Sequence, residues 1–165
     1  MTDPEENHAS DDQNKTLRMI NHKTVADYLS RQGQARLSRH ELFAEDGQAG
    51  LWTSDTLTPV VTIGRDRLAE HARWSLKCFP DWEWYDINIF DTQDPEQFWA
   101  ECDGRGLIRY PDYPEGYYEN HFIHSFKFRG TEILTQREFM NPFQQLRALQ
   151  IPAPTIKRGG IPLGE

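Results

Sequence analysis

The chain has 165 residues, of which 37% are apolar, and its net charge is −8. This length suits one domain with a buried core, and the acidic balance excludes a typical nucleic-acid partner, because a phosphate backbone attracts clustered Lys and Arg. Since no apolar run approaches the ~20 residues of a membrane span, we expect a soluble cytoplasmic protein with no membrane partner. Cys78 and Cys102 are expected to be reduced, structural thiols.

The first part of the chain has the pattern of an acidic tail, two helices and two short strands. The segment Met1–Thr16 is rich in Asp and Glu and almost without apolar residues, so we predict that it is disordered. Gly33 is a typical residue at the end of a helix and separates the two helical patterns. The predicted elements are helices over about Leu17–Gln32 and Ala35–Phe43, and strands over Gly47–Thr53 and Val60–Ile63.

A third predicted helix, between Gly64 and Pro80, has a face of mixed polarity. Residues on this face recur at helical spacing: Leu68, His71, Ala72, Ser75, Leu76 and Phe79. His71 and Ser75 therefore point where a core would lie. Either both are satisfied internally or the face lines a cavity with a polar function, in which case Glu138 is the expected third member.

The second half of the chain has the pattern of an antiparallel sheet. Four long runs rich in aromatic and β-branched residues predict strands over Trp82–Phe90, Phe98–Tyr110, Tyr117–Phe128 and Glu132–Met140. Their short connections require antiparallel neighbours. A short helix over Asn141–Ala148 and an extended tail over Ile151–Glu165 follow. We therefore predict an α+β domain over residues 17–150 with a curved antiparallel sheet, between tails at residues 1–16 and 151–165.

The order of elements resembles the ketosteroid isomerase-like cone, also called the nuclear transport factor 2-like fold, in which a bent sheet and helices enclose a pocket. Five segments, in order, also resemble the phenazine biosynthesis protein A/B family. They are Leu51–Thr53, Gly64–Ala72, Trp74–Trp84, Glu119–Phe126 and Arg137–Leu149. The likeness extends from about Thr24 to Pro162.

This resemblance implies a small homodimeric enzyme that works without a cofactor. Its expected partners are two molecules of an aminoketone, 6-amino-5-oxocyclohex-2-ene-1-carboxylic acid, which it joins by double condensation into a reduced tricyclic phenazine precursor. The family's acid/base residues fall on Glu138 and His71, and its other pocket residues fall on Ser75, Tyr118 and Arg39. Because the chain keeps all five, the resemblance implies an active copy.

Glu138 has a sequence position suited to a buried general acid. Condensing an amine with a ketone requires loss of water from a carbinolamine, and the departing hydroxyl needs a proton. An unperturbed Glu has a pKa near ~4.3 and is ionised at neutral pH. In a cone lined also by Phe79 and Phe122, burial would raise this pKa, so we predict that Glu138 is the acid. The alternative is a buried salt bridge to an arginine other than Arg137, which points to the opposite face of the strand.

The four other positions each have a structural alternative. His71 is either a satisfied core residue or a proton-exchanging partner of Glu138. Ser75 orients His71 or the substrate, or else bonds back to the His71 carbonyl. Tyr118 is a packing aromatic or a hydroxyl donor in the pocket. Arg39 is an exposed helical arginine by sequence alone, or it binds a substrate carboxylate in its own or the neighbouring subunit's pocket.

The sequence does not support a metal site or a nucleotide site. His121 and His124 lie three residues apart, which on a strand puts them on opposite faces, so we reject a metal site there. The sequence has no zinc motif and no glycine-rich phosphate loop. Two other functions stay open. One is an isomerase or dehydratase of another ring ketone, which would need less room, and the other is a non-catalytic paralogue that shields an intermediate.

Overall fold

The computed structural model describes the backbone of residues 4–160 and the side chains of residues 11–160. The helices are α1 (Pro4–Ser30), a 3₁₀ helix (Gly33–Leu42), α2 (Arg65–Cys78) and α3 (Pro142–Ala148). The strands are β1 (Phe43–Leu51), β2 (Val60–Ile63), β3 (Glu83–Asp91), β4 (Gln97–Ile108), β5 (Gly116–Arg129) and β6 (Glu132–Met140). Among residues 4–160, no helix has the length and apolar character that crossing a bilayer requires.

The strands form one mixed sheet in the order β2-β1-β6-β5-β4-β3. The four long strands β3 to β6 pair antiparallel in sequence order, as their short connections predict. In contrast, β1 runs parallel to β6, so the prediction of a wholly antiparallel sheet is wrong at this pair. Connection length sets the direction only of consecutive strands, and most of the chain lies between β1 and β6.

The sheet has one face toward the helices and one face toward the exterior. Along β5, Tyr118, Asn120, Phe122 and His124 are buried, while the residues between them are exposed. In β3 the pairing register shifts between Tyr85 and Asn88. Such a bulge increases the local twist and bends the strand, which helps the sheet curve around its contents.

The N-terminal segment differs from its prediction. Helix α1 begins at Pro4, so residues 4–16 continue the helix that was expected to start at Leu17. Val25 and Leu29 anchor α1 in the core, and an anchored helix extends into a polar segment more easily than a new helix nucleates. Residues 1–3 and 161–165 lie outside the described residues, and the division into a domain at 17–150 with two tails stays a prediction.

The segment between α1 and β2 also departs from its predicted form. The helix predicted over Ala35–Phe43 is a 3₁₀ helix over Gly33–Leu42, and β1 begins at Phe43 rather than at Gly47. The sequence around Asp46 and Gly47 is typical of a turn, but pairing with β6 holds it in the sheet, and a register shift between Phe43 and Gln48 absorbs the irregularity. Tertiary pairing here overrides local turn chemistry.

Gly104 allows the aromatic residues of the core to pack closely. It lies on β4 beneath Trp82, Trp84 and Phe122. A Cβ atom at this position would lie 2.8 Å from Trp84 Cζ3 and 2.9 Å from Phe122 Cε2, which is shorter than real Cβ contacts. Because Gly104 has no side chain, the rings of Trp82, Trp84 and Phe122 can pack directly against the backbone of β4.

We expect Gly104→Ala to lower the free energy of unfolding by about 1–3 kcal/mol, because overpacking forces the surrounding rings to shift. Urea denaturation measures this change. The matched control is Gly159→Ala, where a Cβ meets no atom within 4 Å, and its effect should stay within about 0.5 kcal/mol. Equal effects of the two substitutions would contradict the packing argument.

Candidate functional site

A cavity of about 410 Å³ lies between the core-facing side of the sheet, α2 and the 3₁₀ helix. All five residues singled out in the sequence line it: Arg39, His71, Ser75, Tyr118 and Glu138. They come from the 3₁₀ helix, α2, β5 and β6. The fold thus gathers into one cavity polar groups that lie far apart in the chain.

Glu138 enters the cavity from β6. Arg137 points the other way, and its guanidinium carbon lies 5.6 Å from the centroid of the Trp52 ring. About 28% of the Glu138 side chain is exposed, and this surface faces the cavity that the residue lines. Burial raises the pKa of the Glu138 carboxyl to about 7, although the Arg39 guanidinium opposes this shift. A carboxyl with this pKa is protonated in a large fraction of molecules at neutral pH.

The sequence analysis did not predict the imidazole that lies beside Glu138. His124 Nδ1 is 4.0 Å from Glu138 Oε2 and 2.9 Å from Gln136 Nε2. The ring is fully buried, and burial, with a smaller contribution from Arg39, lowers the pKa of His124 to about 3. His124 is therefore neutral at ordinary pH, and its Nδ1 accepts a hydrogen bond from the Gln136 amide.

His71 lies on α2 at the exposed edge of the cavity. Its ring packs against Trp74 with the ring centroids 5.4 Å apart, and burial lowers the pKa of the imidazole. Among the residues with described side chains, Glu138 makes its ion-pair contact within 4.0 Å with His124, not with His71. The structure therefore places His71 and Glu138 in one cavity but does not make them a contacting pair.

Ser75 has a partner that the sequence analysis missed. Its Oγ accepts a hydrogen bond from Arg36 Nη2 at 3.1 Å, so the expected alternative, a bond back to the His71 carbonyl, is replaced. Arg36 is only 3% exposed, lines the cavity, and also donates from Nη1 to the Phe79 carbonyl at 2.5 Å. The sequence feature that could have identified Arg36 is its spacing from Arg39. Three residues make one turn of a 3₁₀ helix, so the two side chains lie on the same side of it.

Two tyrosine hydroxyls at the cavity are oriented by amide groups. Asn120 Nδ2 donates to the Tyr118 hydroxyl at 2.9 Å, and Gln145 Nε2 donates to the Tyr110 hydroxyl at 3.0 Å. Burial raises the pKa of both phenols, that of Tyr110 to about 12. Since each oxygen already accepts one hydrogen bond, each hydroxyl keeps its own hydrogen for an acceptor in the cavity.

Arg39 lies in the cavity of its own chain. Its guanidinium carbon is 4.9 Å from the centroid of the Tyr28 ring, and Nη2 donates to the Arg31 carbonyl at 2.5 Å. Its Nε is buried, with no hydrogen-bond partner among the described residues. The interpretation of Arg39 as an exposed helical arginine is therefore wrong.

The two histidines of β5 lie on opposite faces of the sheet, as their spacing predicted. His121 is exposed on the outer face, where its ring nitrogens lie 2.7 Å from Asp103 Oδ1 and 2.9 Å from Glu101 Oε1. These two carboxylates raise the pKa of His121. Because His124 is buried on the inner face, the pair does not form one metal-binding group.

Comparisons to known proteins give the family that the five motifs indicate and the fold described above. A family model described as phenazine biosynthesis protein A/B matches residues 1–163. The chain belongs to the phenazine biosynthesis protein A/B family. It is similar to phenazine biosynthesis protein PhzB1 of Pseudomonas aeruginosa, with 66% identity over 146 residues, which cover 88% of this chain and 90% of that protein.

Solved structures give the same family and fold. The crystal structure of the phenazine biosynthesis-related protein PhzB2 from Pseudomonas aeruginosa is 62% identical, with a TM-score of 0.90, and the match covers 92% of this chain and 99% of that chain. A protein with a ketosteroid isomerase-like fold from Catenulispora acidiphila is 15% identical, with a TM-score of 0.64, covering 78% of this chain and 93% of that one. The predicted membership of the phenazine biosynthesis protein A/B family and the predicted cone fold are confirmed.

We expect Glu138 to titrate with a pKa of about 7, and Arg39→Met to raise this pKa further, because it removes a positive charge that favours the carboxylate. The measurement is NMR titration of protein labelled with ¹³C at the glutamate side-chain carboxyls, with Glu138→Gln used to assign the signal.

Arg147→Met is the matched control for this titration, since Arg147 is exposed on α3 and does not line the cavity. It should leave the Glu138 titration unchanged. A Glu138 signal that titrates at its ordinary pKa, or a pKa that falls in Arg39→Met, would contradict the electrostatic description of the site.

Proposed function

We propose that this protein catalyses a step of phenazine biosynthesis, the double condensation of two molecules of 6-amino-5-oxocyclohex-2-ene-1-carboxylic acid into a reduced tricyclic dicarboxylate. Its relatives are named as phenazine biosynthesis proteins. The observation that carries the proposal is the Glu138 carboxyl, which lines a cavity and has a pKa of about 7. A carboxyl of this kind can donate a proton at neutral pH.

The proposed reaction needs an acid at one step of each condensation. The amine nitrogen of one molecule adds to the ketone carbon of the other, which gives a carbinolamine. Protonated Glu138 then donates its proton to the hydroxyl, the C–O bond breaks, and water leaves as the nitrogen electron pair forms the C=N bond. The proton lost from nitrogen restores the acid. This sequence is acid–base chemistry alone, and we propose no cofactor or metal for it.

The remaining cavity residues have positioning roles in this proposal. Tyr118 and Ser75 donate hydrogen bonds to substrate oxygens, and Arg39 binds a substrate carboxylate. His71, at the edge of the cavity, contacts the second substrate molecule rather than Glu138. Holding two molecules with amine facing ketone can lower the barrier by up to ~7–11 kcal/mol, so capture is expected to contribute more than the acid.

The size of the cavity suits a ligand formed from two ring molecules. Its volume of about 410 Å³ lies within the range of roughly 300–1,000 Å³ that is typical of sites for drug-sized ligands. A tricyclic dicarboxylate is a ligand of this class. The cavity volume is thus compatible with the proposed condensation.

We expect Glu138→Gln to lower kcat for the condensation by about 10²- to 10⁴-fold, because the amide holds no acidic proton for the departing hydroxyl. For the wild type, kcat/KM should fall as the pH rises through about 7, where the free enzyme loses its acid. Product formation is followed by absorbance, with the uncatalysed rate subtracted.

The matched control for this experiment is Glu41→Gln, which changes an exposed carboxylate of the 3₁₀ helix that does not line the cavity. It should retain wild-type kcat. If Glu138→Gln and the wild type give equal product yields and rates, the protein shields an intermediate and does not act as an acid, which would contradict the proposal.

We also propose that the protein is a cytoplasmic homodimer that forms through the outer face of the sheet. Trp99, Ile123 and Phe139 make an apolar patch there, since Ile123 pairs with Phe139 across β5 and β6 and the Trp99 and Phe139 rings stack with centroids 6.3 Å apart. Trp99 is 37% exposed and Ile123 is 41% exposed. A contiguous apolar patch on an open sheet face favours a protein partner, and a second copy satisfies it symmetrically.

We expect Trp99→Asp to convert the dimer to a monomer at micromolar concentration, because it places a charge at the centre of the apolar patch. Light scattering coupled to size-exclusion chromatography gives the mass. The control, Met19→Asp, changes an exposed apolar residue on α1 and should leave the dimer intact. A wild-type monomer, or a Trp99→Asp dimer, would contradict this interface.

A further inference from the structure

We infer that Arg36 is a second carboxylate-binding residue of the cavity. Arg36 and Arg39 each bind one carboxylate: one from each of the two substrate molecules, and later one of the two carboxylates of the tricyclic product. This inference rests on the proposed function, because that function supplies two carboxylates to one cavity. It adds a residue, Arg36, that the resemblance to the family did not indicate.

The 3₁₀ helix places the two arginines side by side. With three residues per turn, side chains at positions i and i+3 are eclipsed, so Arg36 and Arg39 project from the same edge of the helix. Both line the cavity. The positive charge of Arg39 disfavours the cationic form of Arg36, and this repulsion is relieved when an anion binds to either arginine.

Neither guanidinium has a carboxylate partner in the described part of the chain. The carboxylate ion pairs found within 4.0 Å involve other arginines, and Glu138 contacts His124 instead. Arg36 is only 3% exposed, and burial, followed by the charge of Arg39, lowers the pKa of Arg36 to about 10. Buried charges are normally paired, so two unpaired guanidiniums in one cavity point to a ligand with two negative charges.

Both arginines have N–H groups left for a ligand. Arg36 uses one N–H on Phe79 and one on Ser75, out of the five that a guanidinium carries. Ser75 Oγ accepts from Arg36 and so keeps its own hydrogen, which puts a hydroxyl donor next to the Arg36 guanidinium. Arg39 uses Nη2 on the Arg31 carbonyl, and its Nη1 hydrogens have no partner among the described residues. Arg36 with Ser75, and Arg39, therefore form two separate sets of donors.

Arg36 also has a structural contact that an experiment must separate from ligand binding. Its bond to the Phe79 carbonyl lies at the C-terminal end of α2, where a positive charge stabilises a helix. A purely structural Arg36 would affect all ligands of the cavity alike. A carboxylate-binding Arg36 would affect a dicarboxylate more strongly than a monocarboxylate, since the monocarboxylate still has Arg39.

The test is calorimetric binding of three planar probes, a phenazine dicarboxylate, the matching monocarboxylate and uncharged phenazine, to the full-length protein. For the wild type we expect the dicarboxylate to bind more tightly than the monocarboxylate. Arg36→Met should weaken dicarboxylate binding by about 10- to 100-fold, as expected for the loss of a charge-assisted contact. It should change monocarboxylate and phenazine binding by less than about 3-fold, a shift well below one such contact.

Three further variants complete the design. Arg36→Lys keeps the charge and should recover part of the dicarboxylate affinity, Arg39→Met should reproduce the effect of Arg36→Met, and the surface variant Arg147→Met should bind all probes as the wild type does. Thermal unfolding without ligand tests whether each variant is folded. If Arg36→Met is not folded, Arg36→Gln replaces it, because glutamine retains hydrogen-bond donors for the Phe79 carbonyl.

The inference is overturned if Arg36 substitutions weaken all three probes equally, or if the wild type does not distinguish the dicarboxylate from the monocarboxylate. Either result is independent of the proposed reaction, because the probes bind without being converted. A wild-type protein that catalyses the condensation but binds the dicarboxylate and the monocarboxylate equally would contradict the role of Arg36 alone. A wild type that distinguishes the two probes, together with a Glu138→Gln enzyme that stays active, would contradict the proposed chemistry alone.

Discussion

Burial of a carboxyl on an interior strand is the constraint on which the whole site depends. β6 lies between β1 and β5, and Glu138 pairs in register with Leu51 on one side and His124 on the other. A side chain on the inner face of such a strand reaches solvent only through the cavity. The raised pKa of Glu138 thus follows from its place in the sheet and not from a neighbouring acid.

Burial moves the pKa values of His124 and Tyr118 away from neutral pH and moves that of Glu138 toward it. Burial keeps His124 uncharged and keeps the Tyr118 phenol protonated, while Arg36 and Arg39 remain cationic because guanidinium deprotonates only at much higher pH. The same removal from water therefore raises the pKa values of acids and lowers those of bases, which gives Glu138 a proton to donate beside hydrogen-bond donors that keep theirs. Sites for acid–base catalysis typically contain titratable groups whose environments move their pKa values apart in this way.

The sequence predicted those features that depend on periodicity within one element. The face of α2 with His71 and Ser75, the alternation that puts Glu138 opposite Arg137, and the antiparallel order of the four long strands all follow from side-chain spacing or connection length. The contact of His124 with Glu138 depends on strand register, and the bond from Arg36 to Ser75 on packing between two helices. Neither register nor helix packing is encoded in local periodicity, so both were missed.

The two arginines also bear on how the acid works once the cavity is filled. The charge of Arg39 favours the ionised form of Glu138 and opposes the effect of burial. On the proposed function, a substrate carboxylate bound to Arg39 neutralises this charge and excludes water, and both changes favour the protonated acid. Substrate binding then favours the protonated form of Glu138. Because linkage is reciprocal, protonated Glu138 also favours substrate binding. With an anionic substrate bound, Glu138 would therefore have its highest pKa and be protonated at the stage at which it donates the proton.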